Sequence, residues 1–280
     1  METVAIVGLG LVGGSFALAL RKAGFDGEIF GVSSPAAIEA GLRRGAVSRG
    51  VDLAEAAAKA DLIYLAQPVD RILMTIERLG PLVPRGCLVT DAGSTKMAIV
   101  KKAQEQLPPG QFLGGHPLAG KEQRGVEAAD ADLFSGRPYV LTPNDTLTVD
   151  TKSFKDWLGR IGAQVIEMSA ETHDGTVALT SHVPQVLSTA LALTLGRQRN
   201  DQLTTVFGPG LMDMTRLALS DAEVWAGILE SNKANVQAGL DCVISSLHEI
   251  RNAVGRPELL NVFQSASTFA ERLRKLPFKS

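Results

Sequence analysis

The chain has 280 residues, 45% hydrophobic and 21% charged, with a formal net charge of −2 at pH 7. That length holds one large domain or two ordinary ones and can bury a sizeable core. So small a charge gives no electrostatic case for nucleic acid or an anionic membrane as partner.

The apolar N-terminus is split by Gly8, Gly10, Gly13 and Gly14, and no basic residue precedes it, unlike a signal peptide. No apolar run reaches the about 18 residues of a membrane span, and a cytoplasmic location is expected. Cys87 and Cys242 are too few and too far apart for a disulfide framework or a zinc cluster. They read as two mostly buried thiols in a reducing cytoplasm, and no metal site is expected.

The β-prone run Val4–Val7 meets Gly8-Leu9-Gly10-Leu11-Val12-Gly13, followed by a helix-like run from Ser15. This is the GxGxxG order of a dinucleotide-binding strand–turn–helix. Gly8 permits the tight turn, Gly10 lets a pyrophosphate approach the backbone, and Gly13 lets helix and strand pack closely. Leu11 and Val12 lie within this turn as cofactor contacts, and the N-terminus of the helix that follows offers N–H groups and a positive dipole end to the phosphates.

Candidate strands continue at Glu28–Val32, Leu62–Ala66, Leu88–Thr90, Phe112–Gly114, Tyr139–Leu141 and Gln164–Ile166. Helix-like stretches lie between them at Leu53–Lys59, Val69–Leu79, Lys96–Gln106 and Thr148–Arg160. The alternation predicts an α/β Rossmann-type domain over residues 1–168, its parallel-rich sheet covered on both faces. Ligands on such sheets sit beyond the carboxyl ends of the strands.

About 20 residues past the glycine turn, an NAD site usually carries Asp or Glu for the ribose 2′-hydroxyl. Here Ser33 and Ser34 stand there, and Ser34-Pro35 also reads as a helix N-cap and first helical residue. Two hydroxyls and a dipole end favour NADP over NAD, with Arg43 or Arg44 as further charge; a plain capped helix fits the same residues. After the third strand, Gln67 borders the expected cofactor position and Pro68 starts a helix. After the fourth, Ser94 in Asp91-Ala-Gly-Ser94-Thr95-Lys96 is either a helix N-cap, a contact at the nicotinamide end, or both. His116, in Gly114-Gly115-His116-Pro117, is expected just after a strand, presented by rigid backbone. An unperturbed pKa of about 6.5 suits it to proton transfer, although a lone histidine is also commonly structural.

From 169 to 280 the candidate strands disappear and a helical substrate-binding and dimerisation domain is expected. Its helices are Ala170–Thr180, Pro184–Arg199, Asp201–Ala218, Ala222–Val254 and Pro257–Leu276, with Leu187, Leu191 and Leu195 at helical spacing. Two polar clusters interrupt it. One joins Glu171-Thr-His173-Asp174 to Ser181-His182-Val-Pro-Gln185; the other joins Asp213-Met-Thr-Arg216 to Trp225. Facing a cleft, Arg216 would clamp a carboxylate in bidentate fashion; otherwise these are capping histidines and buried polar pairs.

Together these residues resemble the prephenate/arogenate dehydrogenase family of tyrosine biosynthesis. The matching pieces are GLGLVGGS at 8–15, DAGSTK at 91–96, GGHPLAG at 114–120, HD at 173–174, SHVPQ at 181–185, and DMTR at 213–216 with Trp225. The resemblance implies a reaction in which hydride leaves a ring carbinol carbon for the nicotinamide, the hydroxyl proton passes to a base, and the ring carboxylate leaves as carbon dioxide. It implies His116 as the base, Ser94 as a hydroxyl-orienting catalytic contact, and Arg216, His182, Gln185, Trp225 and Asp213 around the substrate.

Prephenate-preferring relatives commonly end SHxPH with histidine, where this chain has Gln185. A neutral amide grips a pyruvyl group less well but can accept from an ammonium, so arogenate with NADP is the expected pair. Prephenate or dual-substrate use is the alternative. A β-hydroxyacid dehydrogenase built on Lys233, or a non-catalytic NADP-binding sensor, leaves the GGHP and SHVPQ motifs unexplained. Lys121 departs from the Thr or Ser of many relatives. With the sequence ending at Ser280, inhibition by tyrosine is expected to act at the active site, and a homodimer through the helical domain is expected.

Overall fold

The computed structural model describes residues 1–121 and 123–275, so the predicted helix end at Leu276 lies outside the described residues. In chain order the elements are β1 (Thr3–Val7), α1 (Leu11–Lys22), β2 (Glu28–Val32), α2 (Pro35–Arg43), β3 (Arg49–Gly50), α3 (Leu53–Lys59), β4 (Leu62–Leu65), α4 (Val69–Leu79), β5 (Leu88–Asp91), α5 (Met97–Gln106), β6 (Phe112–Pro117), β7 (Pro138–Thr142), α6 (Lys152–Arg160) and β8 (Gln164–Glu167). Helices then follow: α7 (Ala170–Val177), a π turn (Ala178–His182), α8 (Val183–Gly196), α9 (Pro209–Thr215), α10 (Ala222–Ser231), α11 (Lys233–Ala253) and α12 (Glu258–Lys275).

The chain forms two compact units. Met1–Gly175 and Asp221–Ser231 make the first; Thr176–Ser220 and Asn232–Ser280 make the second. Helix α10 therefore packs with the first unit, where Trp225 and Ile228 lie against a core cluster containing Val69, Ile72 and Ile76.

The sheet of the first unit has eight strands in the order β3-β2-β1-β4-β5-β6-β7-β8. All pairings are parallel except β6 with β7, which is antiparallel. Alternate residues point to opposite faces, and both faces are apolar. Val4 and Ile6 of β1 join Leu62 and Tyr64 of β4 in one core, while Ala5, Val7, Ile63 and Leu65 join the other. Burial on both sides is why these strands read as continuous apolar runs. Phe16 of α1 stacks on Tyr64 with centroids 4.1 Å apart, and the Tyr139 hydroxyl donates to that of Tyr64 at 3.1 Å. Burial pushes both phenols upward, so both remain neutral.

Several expected boundaries shift for identifiable reasons. β6 runs through His116 to Pro117, because Gly115 and His116 pair with Leu141 and Val140 of β7. The glycines that look like a turn permit close packing instead: a Cβ on Gly114 would lie 2.3 Å from Thr142 Oγ1, and one on Gly115 would lie 2.6 Å from the Asp91 carbonyl oxygen. The stretch Asp201–Ala218 is not one helix; Pro209 starts α9, and Arg216–Leu219 forms a separate tight turn. Ala222–Val254 is broken at Asn232, whose backbone (φ −123, ψ 25) is not helical. α6 begins only at Lys152, whose N–H is taken by the Asp150 carboxylate at 2.8 Å. Cys87 is buried as expected, with burial pushing its thiol up to about 12, whereas Cys242 is exposed. Among the described residues, no helix is long and apolar enough to cross a membrane.

Candidate active site

The chain passes β1, β2 and β3 outward and then returns to place β4 on the other side of β1. This reversal is the topological switch point at which α/β sheets bind ligands, and the glycine turn lies there. Gly8 adopts φ +100, and a Cβ on it would fall 2.4 Å from the carbonyl oxygen of Ala66, just past β4. A Cβ on Gly13 would fall 2.1 Å from the Gly8 carbonyl oxygen. Both glycines are required by the packing of the turn itself.

Gly10 is different. It is the N-cap of α1, with φ −100 and no side-chain cap, and a Cβ there would meet nothing within 4 Å. Open space at an uncapped helix N-terminus, followed by Leu11, Val12 and Gly13, fits the pyrophosphate of a dinucleotide. Ser33 Oγ accepts from the Leu9 N–H at 3.3 Å, tying the end of β2 to this turn. Ser34 caps α2 by accepting from the Ala37 N–H at 3.3 Å, with Pro35 next, as its sequence predicts.

Arg43 and Arg44 are committed elsewhere. Arg43 pairs with Glu39 and Glu127, and Arg44 donates to the carbonyls of Val126, Glu127 and Ala129. Gln67 accepts from the Thr75 hydroxyl at 2.7 Å, and Pro68 is the N-cap of α4 rather than its first residue. Lys121 forms an ion pair with Asp130 at 2.6 Å, giving that departure a structural partner.

At the carboxyl ends of β5 and β6 lies a buried polar cluster. Asp91 and Lys96 form an ion pair with both side chains wholly buried. They grip Gly115 from both sides: its N–H donates to Asp91 Oδ1 at 3.0 Å, and its carbonyl accepts from Lys96 Nζ at 2.7 Å. Burial pulls the Lys96 ammonium down while the Asp91 charge opposes that shift. The residue before His116 is thus pinned by an ion pair.

His116 is buried at 9% exposure, and its Nδ1 lies 2.8 Å from Nε2 of His173. His173 Nδ1 in turn lies 2.7 Å from Asp174 Oδ1. The Asp174 carboxylate also accepts from the backbone N–H groups of Lys96 and Met97 at 2.7 and 2.9 Å. It therefore caps α5 from a segment 78 residues away. The N-cap of α5 is Lys96, so Ser94 does not cap the helix; it lies in the turn between β5 and α5. Sequence reasoning passed over Asp91, Lys96, His173 and Asp174 as site residues. The available signal was a carboxylate ending an apolar strand, with a lysine five residues later.

The second unit carries another cluster. His182 is buried, and its Nδ1 lies 3.2 Å from the Asn232 amide. Gln185 Nε2 donates to the Leu217 carbonyl at 2.7 Å, and its Oε1 accepts from the Ser220 hydroxyl at 3.3 Å. The Ala218 N–H donates to Ser188 Oγ at 3.1 Å. Helix α8 therefore clamps the turn that begins at Arg216. Asp213 is exposed on α9. Trp225, grouped with these residues in the sequence, belongs to the first unit.

Residues 16–167 match the family described as "Prephenate dehydrogenase, nucleotide-binding domain", and residues 169–266 match "Prephenate dehydrogenase, dimerization domain". Prephenate dehydrogenase from Bacillus subtilis (strain 168) is 33% identical over 99% of this chain and 77% of its own length. Cyclohexadienyl dehydrogenase from Zymomonas mobilis is 30% identical over 90% of this chain and 88% of its own length. Among solved structures, A. aeolicus prephenate dehydrogenase in complex with hydroxyphenyl propionate and NAD+ superposes with TM-score 0.91 at 31% identity, covering 98% of each chain. Synechocystis arogenate dehydrogenase superposes with TM-score 0.84 at 27% identity, covering 97% of this chain and 99% of its own. The nucleotide-binding sheet, its glycine turn and the helical remainder are those of an oxidoreductase, and the chain belongs to the prephenate dehydrogenase family.

Proposed function

We propose that this protein oxidises and decarboxylates arogenate to tyrosine with NADP as hydride acceptor. The observation that carries the chemistry is His116. It stands on β6 at the carboxyl edge of the sheet whose β1 end bears the glycine turn, and its Nδ1 is engaged by His173. The first-turn backbone of α1 from Gly10 to Gly13 would hold the pyrophosphate, and Ser33 and Ser34 the ribose and its 2′-phosphate. Bound there, the dinucleotide supplies the nicotinamide that takes hydride from the ring carbinol carbon.

His116 accepts the proton of the substrate hydroxyl through Nε2, and Ser94 hydrogen-bonds that hydroxyl and orients it. Loss of the ring carboxylate as carbon dioxide leaves its electron pair in the ring, which becomes aromatic. The proton returns from His116 to the phenolate oxygen, so no net proton is lost. Because aromatisation drives the step, positioning is the main task of the side chains. Arg216 binds a substrate carboxylate, His182 shapes the pocket, and Gln185, whose amide oxygen has a second lone pair, accepts from the arogenate ammonium.

The curated relatives named as prephenate dehydrogenases favour a second reading, with prephenate as substrate. An assay crossing NADP and NAD with arogenate and prephenate, followed by near-ultraviolet absorbance of the reduced cofactor, separates the two. A higher kcat/KM for NADP with arogenate is expected; preference for NAD or for prephenate overturns that half of the proposal. His116→Asn is expected to lower kcat about 10²–10⁴-fold, and near-normal turnover in the folded variant refutes the base. Pairing of two copies through the helical unit is proposed alongside, from the exposed Leu260 and Phe263 of α12; light scattering showing a monomer refutes it.

A further inference from the structure

We propose that Asp174 and His173 are positioning residues that fix the tautomer of His116, an inference that rests on His116 being the base. The three side chains form one buried line: Asp174 at 1% exposure, His173 at 0% and His116 at 9%. A carboxylate oxygen accepts and cannot donate. At 2.7 Å from Asp174 Oδ1, His173 Nδ1 must therefore carry the proton. In the neutral ring its Nε2 then holds a lone pair, which accepts the Nδ1–H of His116 at 2.8 Å. That assignment puts the lone pair of His116 on Nε2, the nitrogen that takes the substrate proton. The reverse order of protons would set the His173 Nδ1 lone pair against the carboxylate.

Asp174 is itself fixed. Its two oxygens accept from the Lys96 and Met97 N–H groups at the start of α5, so the line is anchored to the same segment whose Lys96 side chain grips Gly115. Asp174 is in hydrogen-bond contact with His173, and the Asp91–Lys96 pair, whose opposite charges lie in contact, grips Gly115 beside His116. The Asp174 charge, which also acts on Lys96, stands behind His173 and stabilises the imidazolium that forms on His116 during turnover. One residue pair sets both where the base's lone pair is and how well the base holds its proton.

The test combines a spectroscopic and a kinetic measurement on the full chain. ¹⁵N-histidine labelling, with each of the four histidines assigned by single substitution, reports which ring nitrogen is protonated at pH 8. The expected result is His116 and His173 both protonated on Nδ1. A proton on His116 Nε2, with His173 doubly protonated between Asp174 and His116, overturns the proposal.

In kinetics, His173→Phe removes the acceptor and is expected to lower kcat about 10²-fold or more, with KM for substrate little changed. His173→Gln keeps an amide oxygen able to accept from His116 Nδ1–H and is expected to recover at least about tenfold of that loss. In His173→Phe the acidic limb of the kcat/KM profile moves to lower pH, because the imidazolium loses the acceptor of its Nδ1–H. A folded His173→Phe with wild-type kcat and acidic limb refutes the positioning role. If His116→Asn is inactive in the same experiment, the base survives that result; if it is active, the base fails first. Should His173→Phe not fold, the ring-nitrogen assignment in the unmodified protein still decides the question.

Discussion

The three glycines of the turn look alike in sequence, yet the structure assigns them different costs, and this can be measured. A methyl added at Gly13 would lie 2.1 Å from the Gly8 carbonyl oxygen and 2.9 Å from Ile6 Cγ2. An ordinary carbon–oxygen contact is about 3.3 Å, so α1 must move from the turn by about 1.2 Å. Alanine gains about 1 kcal/mol of helix propensity over glycine. Overpacking costs about 1–3 kcal/mol, and a backbone oxygen cannot swing aside, which selects the upper end. Gly13→Ala is therefore expected to lose about 2 kcal/mol of stability, a fall in Tm of about 4–8 °C. At Gly10 the added methyl meets nothing within 4 Å and the backbone φ is −100, which alanine adopts readily. The weaker N-cap and the reduced freedom of the unfolded chain offset to within about 0.5 kcal/mol. Gly10→Ala should melt like the parent yet bind NADP at least about tenfold more weakly, a loss of about 1.4 kcal/mol. Thermal melts without cofactor and fluorescence titration with NADPH give the two numbers for each variant. Equal melting losses for the two variants refute the steric argument, and unchanged affinity in Gly10→Ala removes the pyrophosphate from that position.

Lys96→Met leaves the Asp91 carboxylate in the interior with only the Gly93 and Gly115 N–H groups as partners. A urea titration should show a loss of about 3–5 kcal/mol; less than about 1 kcal/mol would mean that water reaches the pair. Burial pushes the Cys87 thiol up to about 12 from its ordinary 9.0. Between those values the unfolded chain has released a proton that the native chain keeps, so stability falls as pH rises. From pH 8 to 10.5 this amounts to about 2 kcal/mol, read as the difference in urea midpoints between the parent and Cys87→Ala; an equal pH dependence in both refutes it. Gln185→His is expected to raise the prephenate-to-arogenate ratio of kcat/KM at least threefold (about 0.7 kcal/mol), and an unchanged ratio dissociates residue 185 from substrate choice.

The features legible in the sequence are those whose cause is local. β1, the glycine turn and α1 follow from a run of adjacent residues, and Leu53–Lys59 and Val69–Leu79 match their predicted spans because apolar spacing and the following turns both mark them. Ser34 reads correctly as a cap because its hydrogen bond spans three residues. β3 is too short and too polar to announce itself; Arg49 and Gly50 become a strand only because Phe30 and Gly31 offer them an edge. The interruption at Asn232 was equally invisible, since the residues on either side of it have helical spacing.

Residues whose partners lie far away in the chain are the least legible, and the cap of α5 shows why. Seen locally, a serine two residues before Lys96 is a natural cap, and a His-Asp pair in a helical stretch is an unremarkable polar interruption. Folding brings Asp174 onto the Lys96 and Met97 N–H groups, which displaces Ser94 from that role and commits a carboxylate oxygen to His173. The two roles are linked: the group that caps α5 also stands behind His173, and His173 stands behind His116. A serine cap would have left His173 without an acid partner and free to take either tautomer. Because the carboxylate caps the helix, the stability of α5 and the proton order of the two imidazoles are coupled through one side chain. A substitution at Asp174 must therefore disturb both together, whereas one at His173 can disturb the proton order alone.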